Sequence, residues 1–200
     1  MWNKKKEGKI FIISGPSGSG KTTLKQKILS YKDIHFTYSI SYTTRSPLQN
    51  EENGKDYFFI SKKEFQKKIE SGDFLEYADV YGYYYGTDKH DVNKILEKGQ
   101  NVLIDVDTQG ANSLKRHDVL KEAVYIFILP PSITELQKRL KERKRDDIKE
   151  IEKRLSAARK EIDEAHKYHY CVENKTIETM VKDIQAIIQA ELLKSDQYTF

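Results

Sequence analysis

Apolar positions along this chain follow two rhythms. Short continuous runs, rich in β-branched and aromatic residues, occupy 9–14, 101–107 and 123–129, the last stopped by Pro130-Pro131. Runs of this length bounded by turn residues read as buried strands. Each is followed by a segment with helical spacing, beginning with 23–29. Strands alternating with helices imply a parallel sheet flanked by helices, joined by right-handed crossovers. Residues 36–88 break that rhythm. Residues 36–43 alternate apolar and polar, as a half-exposed strand does. Asn53-Gly54 signals a turn, and 57–60 reads as a second strand. Ser61, with Glu64 three residues on, predicts a capped helix. The aromatic stretches 74–81 and 83–85 complete what reads as a mixed α/β insertion in the sheet domain. From Ser132 the spacing is mostly helical, over 132–143 and about 146–166. A short strand at 170–172 and an amphipathic helix over 177–193 follow.

The turn between the first strand and the first helix carries the most specific signal. Gly15-Pro16-Ser17-Gly18-Ser19-Gly20-Lys21-Thr22 matches the phosphate-binding pattern G-x-x-x-x-G-K-[ST] at every fixed position, and Thr23 opens the helical run. The glycines let backbone N–H groups wrap phosphate oxygens, and the helix N-terminus favours the anion. Lys21 has the reach for the β- and γ-phosphates, and the Thr22 hydroxyl suits Mg²⁺. The chain is therefore expected to bind a nucleoside triphosphate.

Composition narrows the classes. At 200 residues there is room for a single α/β domain with a sizeable core and inserted subdomains. The net charge of +4 comes from 35 basic residues nearly matched by 31 acidic ones, which is no nucleic-acid signature. Cys171 is the single cysteine, so neither an intrachain disulfide nor cysteine-type metal spacing is available. The 5 histidines are scattered and form no helical H-x-x-x-H pair. No apolar run reaches membrane-spanning length, and residues 1–6 lead into no signal-type segment. These features predict a cytoplasmic protein that acts on small molecules, with neither membrane nor nucleic acid as partner.

Phosphoryl transfer needs a second anion brought to the first and screened. Ser41-Tyr42-Thr43-Thr44-Arg45, with Glu51, Gly54 and Tyr57, gathers hydroxyls and a guanidinium on one small element. Glu76 and Tyr85-Gly86-Thr87 lie further on. A purine carrying an amino group suits this set. Guanine presents N1–H and N2–H on one edge to a single carboxylate, whereas adenine would leave that carboxylate unpaired. Alternation along 101–107 places Asp105 and Asp107 on one side of the strand. Arg139 and Arg143, four apart on a helix, share a face. Their spacing alone favours a solvated face beside Glu135, Glu142 and Asp146.

With these motifs assembled in this order, the chain resembles the guanylate kinase family from about residue 8 to residue 192. The resemblance rests on Gly15–Thr22, Ser39-Ile40-Ser41-Tyr42-Thr43-Thr44-Arg45 with Gly54 and Tyr57, Phe74-Leu75-Glu76-Tyr77-Ala78, Tyr84-Tyr85-Gly86-Thr87, Asp105-Val106-Asp107-Thr108-Gln109-Gly110 and Pro130-Pro131-Ser132. It implies a P-loop NTPase-type fold and the reaction ATP + GMP → ADP + GDP with Mg²⁺. It implies a single domain, 1–200. Residues 1–35, 89–138 and 167–200 would form the core, 36–88 the GMP-binding subdomain, and 139–166 the lid and its following helix. By resemblance, Ser41, Glu76, Thr87 and Asp107 contact guanine, and Arg45, Tyr57 and Tyr85 hold the monophosphate. Residues 15–23 and Asn174 bind ATP, and Thr22 and Asp105 serve the metal. Lys21, Arg45, Arg139, Arg143 and Arg154 supply charge to the phosphates in transit. The chain departs from the family pattern at Leu48, where a second phosphate-binding arginine is usual. It departs again at Glu142-Arg143-Lys144-Arg145, where the lid often reads Gly-Arg-Gly-Thr, and at Lys175, where Asp commonly follows Asn. Two other readings stay open at this level: a P-loop kinase for a different phosphorylated acceptor, and a non-catalytic binding module on the same scaffold. No oligomeric state follows from the sequence.

Overall fold

The structure, a computed structural model, describes residues 3–4, 8–31, 34–117, 120–142 and 148–199. The first strands are β1 (Asn3–Lys4) and β2 (Ile10–Ser14), and the glycine-rich turn leads from β2 into α1 (Lys21–Leu29). Next come β3 (Phe36–Tyr38), β4 (Tyr42–Thr43), β5 (Phe58–Phe59) and α2 (Lys62–Glu70). The strands β6 (Phe74–Val80) and β7 (Tyr83–Asp88) form a hairpin, followed by α3 (Lys89–Glu97), β8 (Asn101–Asp105) and α4 (Thr108–Leu114). The rest comprises β9 (Val124–Leu129), α5 (Ile133–Glu142), α6 (Ile148–Asp163), β10 (Tyr170–Glu173), α7 (Ile177–Leu192) and β11 (Tyr198–Thr199).

Among the described residues the central sheet is all-parallel, in the order β10-β9-β2-β8-β3. Strand alternation divides the core into two layers. Ile10 and Ile12 join Val102, Ile104, Leu114, Tyr125 and Phe127 on one face. Phe11 and Ile13 join Leu24 and Ile28 of α1 and Met180, Ile184 and Ile188 of α7 on the other. With both faces covered, β2 is fully buried, which is why its sequence is an unbroken apolar run. A smaller sheet, β5-β4-β7-β6, stands beside the core, and α2 covers it with Phe65 against Phe74 and Tyr84. Ser61 and Glu64 form the expected capping box on α2. A third apolar cluster joins α5 to α6 through Leu136, Leu140, Ile151 and Ala158.

Two expectations change. The alternating stretch 36–43 is not one strand but two, in different sheets. β3 pairs with β8 in the core, Ser39 donates its N–H to Leu103 at 2.9 Å, and the chain then crosses over. From Ser41, whose carbonyl accepts Phe58 N–H at 2.9 Å, it belongs to the smaller sheet. Residues 36–38 therefore sit in the core sheet rather than in the insertion; alternation fixes which way side chains point and not which neighbour the backbone finds. The second change is at Asp107. β8 ends at Asp105, and Asp107 leaves the strand to cap α4, accepting Gly110 N–H at 2.8 Å. The two acids are thus held by different elements.

Candidate active site

The β2–α1 turn is built for close approach. Gly15 has φ 141°, and a Cβ there would meet the Ile128 carbonyl at 2.4 Å. Lys21 curls back over the turn and donates to the carbonyls of Gly15 and, at 3.3 Å, Pro16. α1 starts at Gly20 with no side-chain cap, whereas α2, α3, α4 and α7 are all capped by side chains. Its first amides are left for an external anion. Thr22 is exposed on the first turn.

Asn174, buried just after β10, ties this turn down: its Nδ2 donates to the Ser19 carbonyl at 2.7 Å. Arg139 on α5 donates to the Asn174 carbonyl at 3.3 Å and to Glu135 at 3.2 Å, so it keeps its helix-face partner while facing the turn. Gly18, Gly20, Thr23, Arg139, Asn174 and Ile177 line a groove of about 470 Å³. Arg154 on α6 reaches the turn from the opposite element, with Nη1 donating to Ser17 Oγ at 3.2 Å. Pro16 is buried and Ser19 packs its hydroxyl inside the turn, where its backbone also accepts the Asn174 bond. Arg143 lies outside the described residues.

Asp105 closes β8 beside β2, in register with Ile13. Burial pushes its carboxyl above the usual range; Lys21 and Lys25 pull the other way, and Asp107 adds to the rise. Among the described residues no group of three His, Cys, Asp or Glu side chains could hold a metal by itself. The hydroxyl of Thr22 and the carboxylate of Asp105 nevertheless fit a hard divalent cation carried largely by phosphate oxygens, which needs only one or two protein ligands.

A second group of the predicted residues lies where the smaller sheet packs against α4. Glu76 and Thr87 are cross-strand partners on β6 and β7, and the Thr87 hydroxyl donates to Glu76 Oε1 at 2.6 Å. Both are buried, as is Ser41. The other Glu76 oxygen lies against Gly110, where a Cβ would come within 2.8 Å of it. Burial lifts the Glu76 carboxyl to about 7, opposed by the Thr87 hydrogen bonds and reinforced by the charge of Asp107. Further along the sheet, Arg45 Nε donates to the Tyr85 hydroxyl at 3.2 Å and Nη2 pairs with Glu51 at 2.9 Å. The Tyr57 ring packs edge-on to Tyr85 at 5.7 Å, with the Arg45 guanidinium 5.5 Å from its centroid. Lys55 points to solvent and pairs with Glu52 at 3.0 Å, and the Leu48 side chain is exposed.

Two residues at this site were not singled out from sequence. Glu161 on α6 has its carboxyl raised by burial, with the charge of Lys21 lowering it and that of Asp107 raising it. Its seven-residue spacing from Arg154, two helical turns, was the available signal. Tyr81, at the tip of the β6–β7 hairpin, lies against Arg154 with 5.2 Å from ring centroid to guanidinium carbon. No periodicity announces that contact.

Comparison with known proteins matches the guanylate kinase family model over residues 7–191. The chain belongs to the guanylate kinase family. A guanylate kinase of Clostridium tetani is 44% identical over 191 residues, covering 96% of this chain and 90% of that protein. One of Nitrosomonas europaea is also 44% identical, covering 93% and 91%. The crystal structure of guanylate kinase from Anaplasma phagocytophilum superposes with a TM-score of 0.78 at 30% identity, covering 98% of this chain and 92% of that one. The matched span covers both groups of residues, since it runs from before the phosphate turn into the last turn of α7.

Proposed function

We propose that this chain transfers the γ-phosphoryl group of ATP to the phosphate of GMP, giving ADP and GDP, with Mg²⁺ and in the cytoplasm. The observation that carries the reading is buried Glu76, with one oxygen on Thr87 and its charge opposed by Asp107. Such a group is satisfied by the two N–H donors on the guanine edge, and an adenine amino–imine edge leaves it unpaired. Ser41 and Asp107 complete the base contacts. Arg45, set by Glu51 and Tyr85, holds the acceptor phosphate with the Tyr57 and Tyr85 hydroxyls.

The uncapped start of α1 and residues 15–23 hold the donor phosphates, and the groove beside Asn174 takes the adenosine. Thr22 and Asp105 would hold Mg²⁺, which would supply charge neutralisation to the donor phosphates. An oxygen of the GMP phosphate attacks Pγ in line, and the Pγ–O bond to ADP breaks. Lys21 moves its amino group from its carbonyl partners to the transferring group. Arg139, Arg143 and Arg154 stabilise its equatorial charge, and closure of the 139–166 arm excludes water. In this reading the smaller sheet is the acceptor subdomain and α5–α6 the lid.

The test is turnover with a panel of nucleoside monophosphates. GMP is the expected acceptor, with AMP slower by about 10⁴-fold, the penalty of a hydrogen-bonding site left unpaired. Lys21→Ala should stay folded, with kcat lower by about 10²–10³-fold. Turnover of another phosphorylated acceptor but not GMP would establish the alternative kinase; nucleotide binding without transfer would establish a binding module.

A further inference from the structure

Tyr81 is, among the described residues, the one non-glycine with positive φ, at 55°. It forms the two-residue tip Tyr81-Gly82 between paired Val80 and Tyr83, with Gly82 at φ 85°. Positive φ at both positions is the type I′ geometry, for which Asn-Gly is the favoured pair and a bulky aromatic a poor choice at the first place. The tip has its own local support, because Gly82 N–H donates to Asp79 at 2.7 Å. A strained residue kept where an unstrained one would serve the turn better points to a role outside the turn.

That role is visible in what the ring touches. It is half-exposed and lies against the Arg154 guanidinium, whose Nη1 reaches Ser17 in the phosphate turn. Glu150, one helical turn earlier, holds Arg154 Nε at 3.8 Å. Arg154 is thus bordered by its own helix, the phosphate turn and the tip of a hairpin from the other sheet. The same hairpin carries Glu76 and Thr87 near its base and Tyr85 midway. From Glu76 to the tip is five residues, roughly 17 Å of continuous paired strand.

We infer that Tyr81 is a positioning residue for phosphoryl transfer: its ring holds the Arg154 guanidinium in place against the phosphate turn. The inference rests on the proposed reading that Arg154 serves the phosphates in transit. Tyr81 is not among the residues lining the groove beside Asn174, and its ring contact is with Arg154, so its effect is expected on turnover rather than on acceptor binding. A guanidinium over an aromatic face is attracted by the ring quadrupole, and Phe supplies the same face.

The test compares Tyr81→Asn, Tyr81→Phe and wild type. Asn suits the turn and removes the ring. Tyr81→Asn should match or exceed the wild-type Tm, with kcat lower by about tenfold, the scale of a partly desolvated cation–π contact. Its Kd for GMP without ATP should stay within about twofold, because Ser41, Glu76 and Thr87 are untouched. Tyr81→Phe should keep near-wild-type kcat. On an Arg154→Ala background, Tyr81→Asn should cost nothing further. Undiminished kcat in Tyr81→Asn, an equal loss in Tyr81→Phe, or an additive loss on the Arg154→Ala background would each overturn the inference. Failure of the functional reading looks different: wild type itself would then not phosphorylate GMP.

Discussion

At the residue scale, Glu76 has a pH dependence whose sign is fixed by its environment. Its carboxyl is lifted from 4.5 to about 7, chiefly by burial, with Asp107 adding to the rise and Thr87 opposing it. A folded-state value above the unfolded one means that the protein takes up a proton on folding. The stabilising contribution of protonated Glu76 is therefore complete below about 4.5 and is lost as pH rises through about 7. At pH 8 the ionised group costs about 3 kcal/mol, so Glu76→Gln should raise the stability of the nucleotide-free protein there and leave it unchanged at pH 4. GMP should reverse that preference, since guanine N–H donors favour the carboxylate. KM for GMP should thus rise as pH falls below 7 in wild type and be flat and high in Glu76→Gln, with KM for ATP unaffected in both. A GMP affinity independent of pH between 5.5 and 8 in wild type would sink the assignment. The role proposed for Glu76 comes from the motif that contains it. Its proton affinity was not legible there, because that depends on Gly110 and Asp107, thirty and more residues away in sequence and packed against it by α4.

At the element scale, legibility followed how local the determinant is. The β2–turn–α1 unit was readable because buried apolar run, glycine turn and helix are contiguous. So was α2, whose Ser61–Glu64 box lies within four residues. The division of 36–43 between two sheets was not readable, because the partners that decide it, Leu103 and Phe58, are distant in sequence. Asp107 was misplaced for a different reason: its cap partner Gly110 is only three residues on, but the alternation of the preceding apolar run was extended past the strand's end at Asp105. The loop from Arg45 to Glu51 shows what such packing prepares. Glu51 takes Arg45 on one oxygen and Leu48 N–H on the other, each at 2.9 Å, so the loop is set to present one guanidinium. Leu48 is exposed on it, and exposed Lys55 is engaged with Glu52. Leu48→Arg should add a charge-assisted contact to the acceptor phosphate, worth about 1.5–3 kcal/mol, and lower KM for GMP about tenfold or more. KM for ATP should not move. An unchanged KM for GMP would mean that another cation already fills that place.

At the scale of the whole molecule, the two ends of the parallel sheet carry different duties. The carboxyl ends of β2 and β8 deliver the phosphate turn and Asp105, the usual ligand side of such sheets. The amino end of β2 is held instead by a buried ion pair: Lys9 meets Glu191 of α7 at 3.0 Å, with both side chains less than a tenth exposed. Glu191 also accepts the Tyr170 hydroxyl at 2.7 Å and pairs with Lys194 at 2.7 Å. Burial alone would raise its carboxyl, but the hydrogen bonds from Lys194, Tyr170 and Lys9 and the Lys9 charge outweigh it and hold the group down at about 2. A depressed folded-state value gives stability that is present above the unfolded 4.5 and lost as pH falls through about 2. Lys9→Met leaves that carboxylate short of its buried partner and should cost about 3–5 kcal/mol at pH 7, read as a lower urea midpoint with unchanged m. The penalty should shrink as pH falls below 4.5, and Lys9→Met combined with Glu191→Leu should recover most of it, because neither charge then remains buried. Well below the transition, kcat and both KM values of Lys9→Met should equal those of wild type. The sheet separates the pair from the phosphate turn by the length of β2, roughly 17 Å. A shifted KM for ATP or GMP in a variant of unchanged urea midpoint would show that the amino end of the sheet takes part in nucleotide handling, and that stability and chemistry are not divided between its two ends.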